Sequence, residues 1–250
     1  GAVNKTTVVV EQVIVAPTPN AGTPRPRKAL APEPPTVECV LCFDTTGSMY
    51  KVTRSKGRKI ALIGDSWGDE SGEFLDGWGY HAALALGYAD ILPSFQGGTG
   101  YYATGTPGQG RRSFGGRFAD EVAAYGYEDV LVNGSINDLP PALAGVSRAD
   151  VIRAASDFYG TASQFGRLMV FGCQYVDPTK TASYDAMNVE LLGALAGRGE
   201  FYSSAGWLTG TGKIGATSGS GNRDIYRKND GDHLAPVGSK YWAGRMVAVL

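Results

Sequence analysis

The chain has 250 residues, 43% hydrophobic and 19% charged, which is enough for one full core and too apolar for a wholly disordered chain. Lys and Arg number 23 against 24 Asp and Glu, a formal charge of −1, so the basic excess expected of a duplex-binding domain is missing. No apolar run approaches the ~20 residues of a membrane span, and Gly1–Lys5 has no apolar signal-peptide core.

The N-terminal quarter reads as an extended appendage. Residues 6–15 (TTVVVEQVIV) are β-branched and predict a strand, so 1–16 is taken as an N-terminal strand segment. Seven of the 13 prolines lie between Pro17 and Pro35, and 17–36 is predicted to be a semi-rigid linker. A short connector, 37–58, follows, with a further strand expected at Val37–Phe43. Residues 1–59 hold nine Lys/Arg and four Asp/Glu, so the remainder of the chain is acidic. A lone exposed strand is not stable, so this segment is expected to attach to another chain or a larger assembly.

From Lys59 onward strands and helices alternate. The predicted strands are Lys59–Ile63, Val130–Val132, Arg167–Val176 and Glu200–Ser203. The predicted helices are Tyr80–Leu92, Arg148–Phe165, Thr181–Leu195 and Val237–Leu250. This order predicts a three-layer α/β/α sandwich with a mostly parallel sheet over 59–250. Glycine, 36 in all, concentrates in the connections 97–117 and 206–221.

Four short stretches carry the chemistry. Ser66 follows a strand directly and opens a turn, which exposes it at the carboxyl edge of the sheet, where open α/β folds place ligands. There are only two histidines, His81 and His233. Asp230 precedes His233 by three residues, a spacing that lets its carboxylate orient the imidazole. His81 has no Asp or Glu within four residues and reads as structural. Gly97-Gly98-Thr99-Gly100 and Asn137-Asp138 lie in loops that follow predicted elements. Taken singly, Ser66 reads equally as a helix N-cap, and Asn137, Asp230 and His233 as turn or loop residues.

In this order the stretches resemble the SGNH (GDSL-type) hydrolase superfamily. Gly64-Asp65-Ser66 matches its nucleophile block, and the 97–100 run its oxyanion-glycine block. Asn137-Asp138 matches its asparagine block, and Asp230 to His233 its last, D-x-x-H. The sequence departs from the pattern at Ser135, where the third block usually has glycine, and at Leu234, where proline often follows the histidine. The resemblance implies a flavodoxin-like fold and serine-dependent ester hydrolysis by Ser66, His233 and Asp230. The oxyanion would be held by Ser66, Gly98 and Asn137, with Gly97 or Gly100 as alternatives to Gly98. No metal or cofactor is implied.

Trp67, Tyr101 and Tyr102 flank these residues and are read as a platform for a sugar ring. An acylated glycan or glycolipid of a cell envelope is therefore the expected substrate. The linker arrangement looks similar to esterase domains of phage tails, which implies an extracellular or virion-associated location. The alternatives are a non-catalytic glycan-binding module, or a lipase or thioesterase. Three further patterns are weaker. Cys39-x-x-Cys42 lacks a second ligand pair, and Asp44-Thr45-Thr46-Gly47-Ser48 lacks the flanks of a von Willebrand A metal site. Gly98-x-Gly100-x-x-Ala103 has no strong predicted strand before it. Arg111, Arg112 and Arg117 fall in a predicted Gly-rich loop, either solvated or touching an anionic or sugar substrate.

Overall fold

The structure, a computed structural model, describes residues 40–43, 49–52, 58–69, 77–139 and 145–250. The predicted strand 6–15, the Pro-rich linker, Cys39 and the 44–48 motif lie outside the described residues. Strands β1 (Val40–Phe43) and β2 (Met49–Val52) pair antiparallel.

The main sheet has five parallel strands in the order β4-β3-β5-β6-β7. They are β3 (Lys59–Gly64), β4 (Asp90–Phe95), β5 (Asp129–Asn133), β6 (Leu168–Phe171) and β7 (Glu200–Tyr202). Helices cover both faces, so the inner strands are buried on both sides. Ile60–Ile63, Val130–Val132 and Leu168–Phe171 are at most 1% exposed. This is why they read as continuous apolar runs rather than alternating ones. The helices are α1 (Ser66–Asp69), α2 (Trp78–Ala85), α3 (Phe114–Glu121), α4 (Arg148–Ala162), α5 (Thr181–Leu195), α6 (Arg223–Tyr226) and α7 (Pro236–Val249). Helix α2 packs with α7, and α4 lies between α3 and α5. The three-layer α/β/α arrangement is the one expected.

Local chemistry sets the element ends. Ser147 caps α4 by accepting from the Asp150 amide at 3.2 Å, and the Asp150 carboxylate accepts from the Ser147 amide at 3.3 Å. Such a capping box contributes about 1 kcal/mol. Helix α5 ends where Ala196 (φ 49°) and Gly197 (φ 76°) turn left-handed, and α7 starts on Pro236, whose missing N–H costs nothing there.

Three expectations need correction. The predicted helix Tyr80–Leu92 is α2 followed by a turn at Gly87 (φ 85°) and strand β4. Pro93 lies inside β4 opposite Leu62, and is tolerated because β4 is at the sheet edge. A strand therefore does precede Gly97-Gly98. The predicted strand Arg167–Val176 stops at Phe171, where the Asn188 side chain takes the Cys173 amide at 2.7 Å in place of a neighbouring strand. Cys173, Tyr175 and Val176 stay buried, so the apolar run recorded burial and not extension. Finally, 114–121 is helix α3, and not part of a loop.

Candidate active site

The order β4-β3-β5 makes β3 the switch point of the sheet, with a neighbour added on each side. Ligand sites in open α/β sheets lie outside the strand ends at such a point. Ser66 leaves the end of β3, Gly97-Gly98 the end of β4 and Asn137 the end of β5.

Ser66 and His233 are 167 residues apart in sequence, yet His233 Nε2 lies 3.0 Å from Ser66 Oγ. His233 Nδ1 lies 3.1 Å from Asp230 Oδ2, while Asp230 Oδ1 accepts the amides of Asp232 at 2.8 Å and His233 at 3.1 Å. Partial burial opposes ionisation of Asp230, but these two amides and the imidazole outweigh it and hold the carboxyl down at about 2. An anion thus sits at one ring nitrogen and a hydroxyl at the other.

The loop carrying His233 is braced on both sides. Gly231 (φ 78°) donates to Lys228 O at 3.0 Å, Lys228 N donates to His233 O at 2.9 Å, and the Arg227 guanidinium holds Gly231 O and Val176 O. Trp67 is the strut between this loop and α1. Its Nε1 donates to Asp232 O at 3.0 Å, and its ring packs edge-on against Trp242, with Arg227 over it.

The aromatic platform is not built as expected. Trp67 is 3% exposed, and Tyr101 is 1% exposed. The Tyr101 hydroxyl accepts from Tyr159 at 2.6 Å, and its ring packs on Phe114 and Phe158. Both rings serve the core because the turn that exposes Ser66 faces Trp67 inward, and because Asp138 draws Tyr101 in. The buried Asp138 carboxylate accepts the amides of Tyr101, Tyr102 and Ala103 at 2.7 to 3.0 Å. Tyr102, 41% exposed, is the one of the three open to solvent.

Among the candidate oxyanion glycines, Gly100 donates its amide to Ala103 O at 3.0 Å and is already committed. Gly98 adopts φ +73°, a region that disfavours any side chain. Asn137 Nδ2 donates to Thr99 O at 2.9 Å and to Asp65 Oδ2 at 3.3 Å, so both of its protons have acceptors within the protein. His81 lies on α2, outside this hydrogen-bonded group.

Two charged residues hold the strand ends together. Asp65 is fully buried and accepts from Trp67 N at 3.0 Å and Gln174 Nε2 at 3.0 Å, in addition to Asn137. Burial pushes its carboxyl up to about 6, against the lowering effect of the Trp67 amide, Gln174 and His233. Arg117, also fully buried, donates to Gly64 O at 2.6 Å, Ser94 O at 3.0 Å and Thr99 Oγ1 at 3.0 Å. Burial lowers its guanidinium to about 10. It is therefore neither solvated nor a substrate contact. Gln174 was not singled out by sequence reasoning. Its signal was available, because it is the one strongly polar residue inside the apolar run LMVFGCQYV.

No protein-family model matches the chain, and no curated protein matches it in sequence. Solved structures do match. One is TesA, with 17% identity and a TM-score of 0.56, covering 77% of this chain and 98% of that one. A lipase/acylhydrolase from Enterococcus faecalis has 15% identity and a TM-score of 0.54, covering 77% and 94%. A catalytic mutant of the acetylxylan esterase Axe2 from Geobacillus stearothermophilus has 13% identity and a TM-score of 0.55, covering 77% and 93%. The fold therefore resembles that of the SGNH (GDSL-type) esterase and lipase superfamily. No helix among the described residues is long and apolar enough to cross a membrane.

Proposed function

We propose that the chain is a serine ester hydrolase that removes an acyl group from an acylated glycan. The observation that carries the hydrolytic reading is the position of His233, within hydrogen-bond distance of both Ser66 and Asp230. That is the arrangement of an activated nucleophile, its base and an orienting acid. The shared fold with a lipase/acylhydrolase and an acetylxylan esterase supports it.

Ser66 Oγ attacks the ester carbonyl carbon, and its proton passes to His233 Nε2. Asp230 keeps the Nδ1–H pointed at itself, so Nε2 is the free base, and it stabilises the imidazolium that forms. The amides of Ser66 and Gly98 receive the charge that develops on the carbonyl oxygen. Asn137 contributes a third donor by giving up its longer bond, to Asp65. Collapse of the adduct expels the alcohol, which takes the proton from His233. A water then repeats the sequence on the acyl-serine, giving the free acid and restoring Ser66. Each oxyanion donor contributes on the order of 10²- to 10³-fold in rate. The glycan as alcohol component is supported by the acetylxylan esterase likeness and by Tyr102, whose exposed ring can stack on a sugar.

Hydrolysis of p-nitrophenyl acetate by the intact chain, Ser66→Ala and His233→Ala tests the mechanism. Both variants are expected to lose at least about 10³-fold in kcat/KM. Equal rates in all three would sink it, and a non-catalytic glycan-binding module would then be favoured.

A further inference from the structure

Of the three arginines in the stretch 111–117, two are neutralised or spent within the protein. Arg112 pairs with Asp120 and with Glu121, the latter at 3.0 Å. Arg117 is buried and holds the ends of β3 and β4. Arg111 differs: its guanidinium is bonded to the carbonyl of Gly97, a neutral group, and has no ion-pair partner among the described residues. It is partly exposed.

Its position is defined by the glycines around it. The point a Cβ would occupy on Gly97 lies 3.2 Å from Arg111 Nη1 and 3.4 Å from Ser66 Cβ, so the width of one small group separates the cation from the proposed nucleophile. A Cβ on Gly98 would lie 3.8 Å from the same nitrogen. Gly105 (φ +75°) leaves room for the stem of Arg111, since a Cβ there would meet Arg111 Cδ at 2.9 Å. The arginine is thus laid along the loop that leaves β4, with its charged end against the candidate oxyanion glycines. One bond to a carbonyl uses one of five N–H donors. A planar fork with donors to spare and an uncompensated charge matches a carboxylate or a phosphate.

We infer that Arg111 selects esters that carry an oxyanionic group, a carboxylate or a phosphate, close to the scissile bond. An acylated uronic acid or an acylated sugar phosphate has this chemistry; an acyl group on a neutral sugar does not. The inference rests on the esterase reading. Arg111 takes no proton and forms no covalent bond. It contributes binding at a fixed distance from the reacting carbon, so the effect falls on kcat/KM for anionic esters.

The test compares phenyl acetate with 4-acetoxybenzoate and 4-acetoxyphenyl phosphate, and p-nitrophenyl butyrate with mono-p-nitrophenyl succinate. The quantity read is the ratio of kcat/KM, anionic over neutral, within each matched set, which cancels any loss of folded enzyme. In the intact chain at least one anionic ester is expected to be preferred, with the benzoate, phosphate and succinate arms separating the group and its side of the ester. In Arg111→Gln that ratio is expected to fall about tenfold or more. In Arg111→Lys, which keeps the charge, it should fall much less, and added salt should lower it in the intact chain. An intact chain that prefers no anionic ester, or an Arg111→Gln variant with an unchanged ratio, overturns the inference while leaving the esterase reading in place. An intact chain that hydrolyses none of the five refutes both.

Discussion

Replacing Asp230 with asparagine keeps the size of the side chain and reverses the polarity of one hydrogen bond. The asparagine oxygen can retain the two amides that Oδ1 now accepts, from Asp232 at 2.8 Å and His233 at 3.1 Å. Its NH₂ then faces His233 Nδ1, which accepts only if the ring proton moves to Nε2. Nε2–H would then donate to Ser66 Oγ, 3.0 Å away, and could not take the serine proton. The electrostatic part of the loss is the smaller one. The Asp230 carboxyl is held at about 2 against 3.8, ~2.5 kcal/mol at face value. Two of its three donors are amides that asparagine keeps, and the side chain is 40% exposed, so screening leaves about 1 kcal/mol, roughly fivefold in rate. The wrong tautomer accounts for the rest, and the total loss in kcat is expected to be on the order of 10³. Steady-state hydrolysis of p-nitrophenyl acetate measures it, with a thermal melt to show that the loop and its amide bonds persist. A variant within about fivefold of the intact chain would show that only the charge matters, and would refute the tautomer argument.

Two further outcomes follow from buried groups. The Asp65 carboxyl is raised from 3.8 to about 6, so its ionised form costs stability that is absent below pH ~4, grows through the interval and is fully present above 6. Gln174→Met removes a donor from that ionised form. It should therefore cost about 2 kcal/mol in urea unfolding at pH 8 and much less at pH 4.5; equal losses at both would contradict the assignment. Tyr101→Phe deletes a buried hydroxyl bonded to Tyr159, and should cost about 1 kcal/mol in stability while leaving KM for p-nitrophenyl acetate unchanged. A several-fold rise in KM with unchanged stability would return Tyr101 to the substrate site.

What could be read in the chain beforehand was whatever is encoded within a few neighbouring residues. Helix α5 is expected at Thr181–Leu195 and is found there, because its run of helix-forming residues without Gly or Pro up to Gly193 and its left-handed exit at Ala196-Gly197 are local. Ser66, Asn137, Asp230 and His233 were singled out because each sits in its own short signature. Strand β4 was missed because ALALGYADILP has an Ala/Leu-rich start with helical propensity, and only pairing with β3 makes its end extended. Helix α3 was missed because Gly115 and Gly116 read as loop, while Ser113 caps the helix by accepting the Gly116 amide. The bond from Gln174 to Asp65 spans 109 residues, and no local pattern could announce it. The same is true of the inward faces of Trp67 and Tyr101, which depend on partners far along the chain.

The long-range bonds also explain why the strand ends hold a common geometry. Asp65 is tied to Trp67 after β3, Asn137 after β5 and Gln174 after β6. Arg117 is tied to Gly64 at the end of β3, Ser94 in β4 and Thr99 beyond it. Between them, one buried anion and one buried cation cross-link four neighbouring strand ends and every loop that carries a candidate site residue, apart from the His233 loop. Both pay for burial, as their displaced ionisation shows: about 6 for the acid and about 10 for the guanidinium. Buried charges of this kind are weak evidence for stability, since apolar groups of the same shape often fold as well or better. Their placement here is better explained by position. A carboxylate with three donors and a guanidinium with four acceptors fix directions as well as distances, which apolar packing does not. The site therefore rests on a polar frame at the switch point, and the hydrophobic layers beneath supply the stability that the frame consumes.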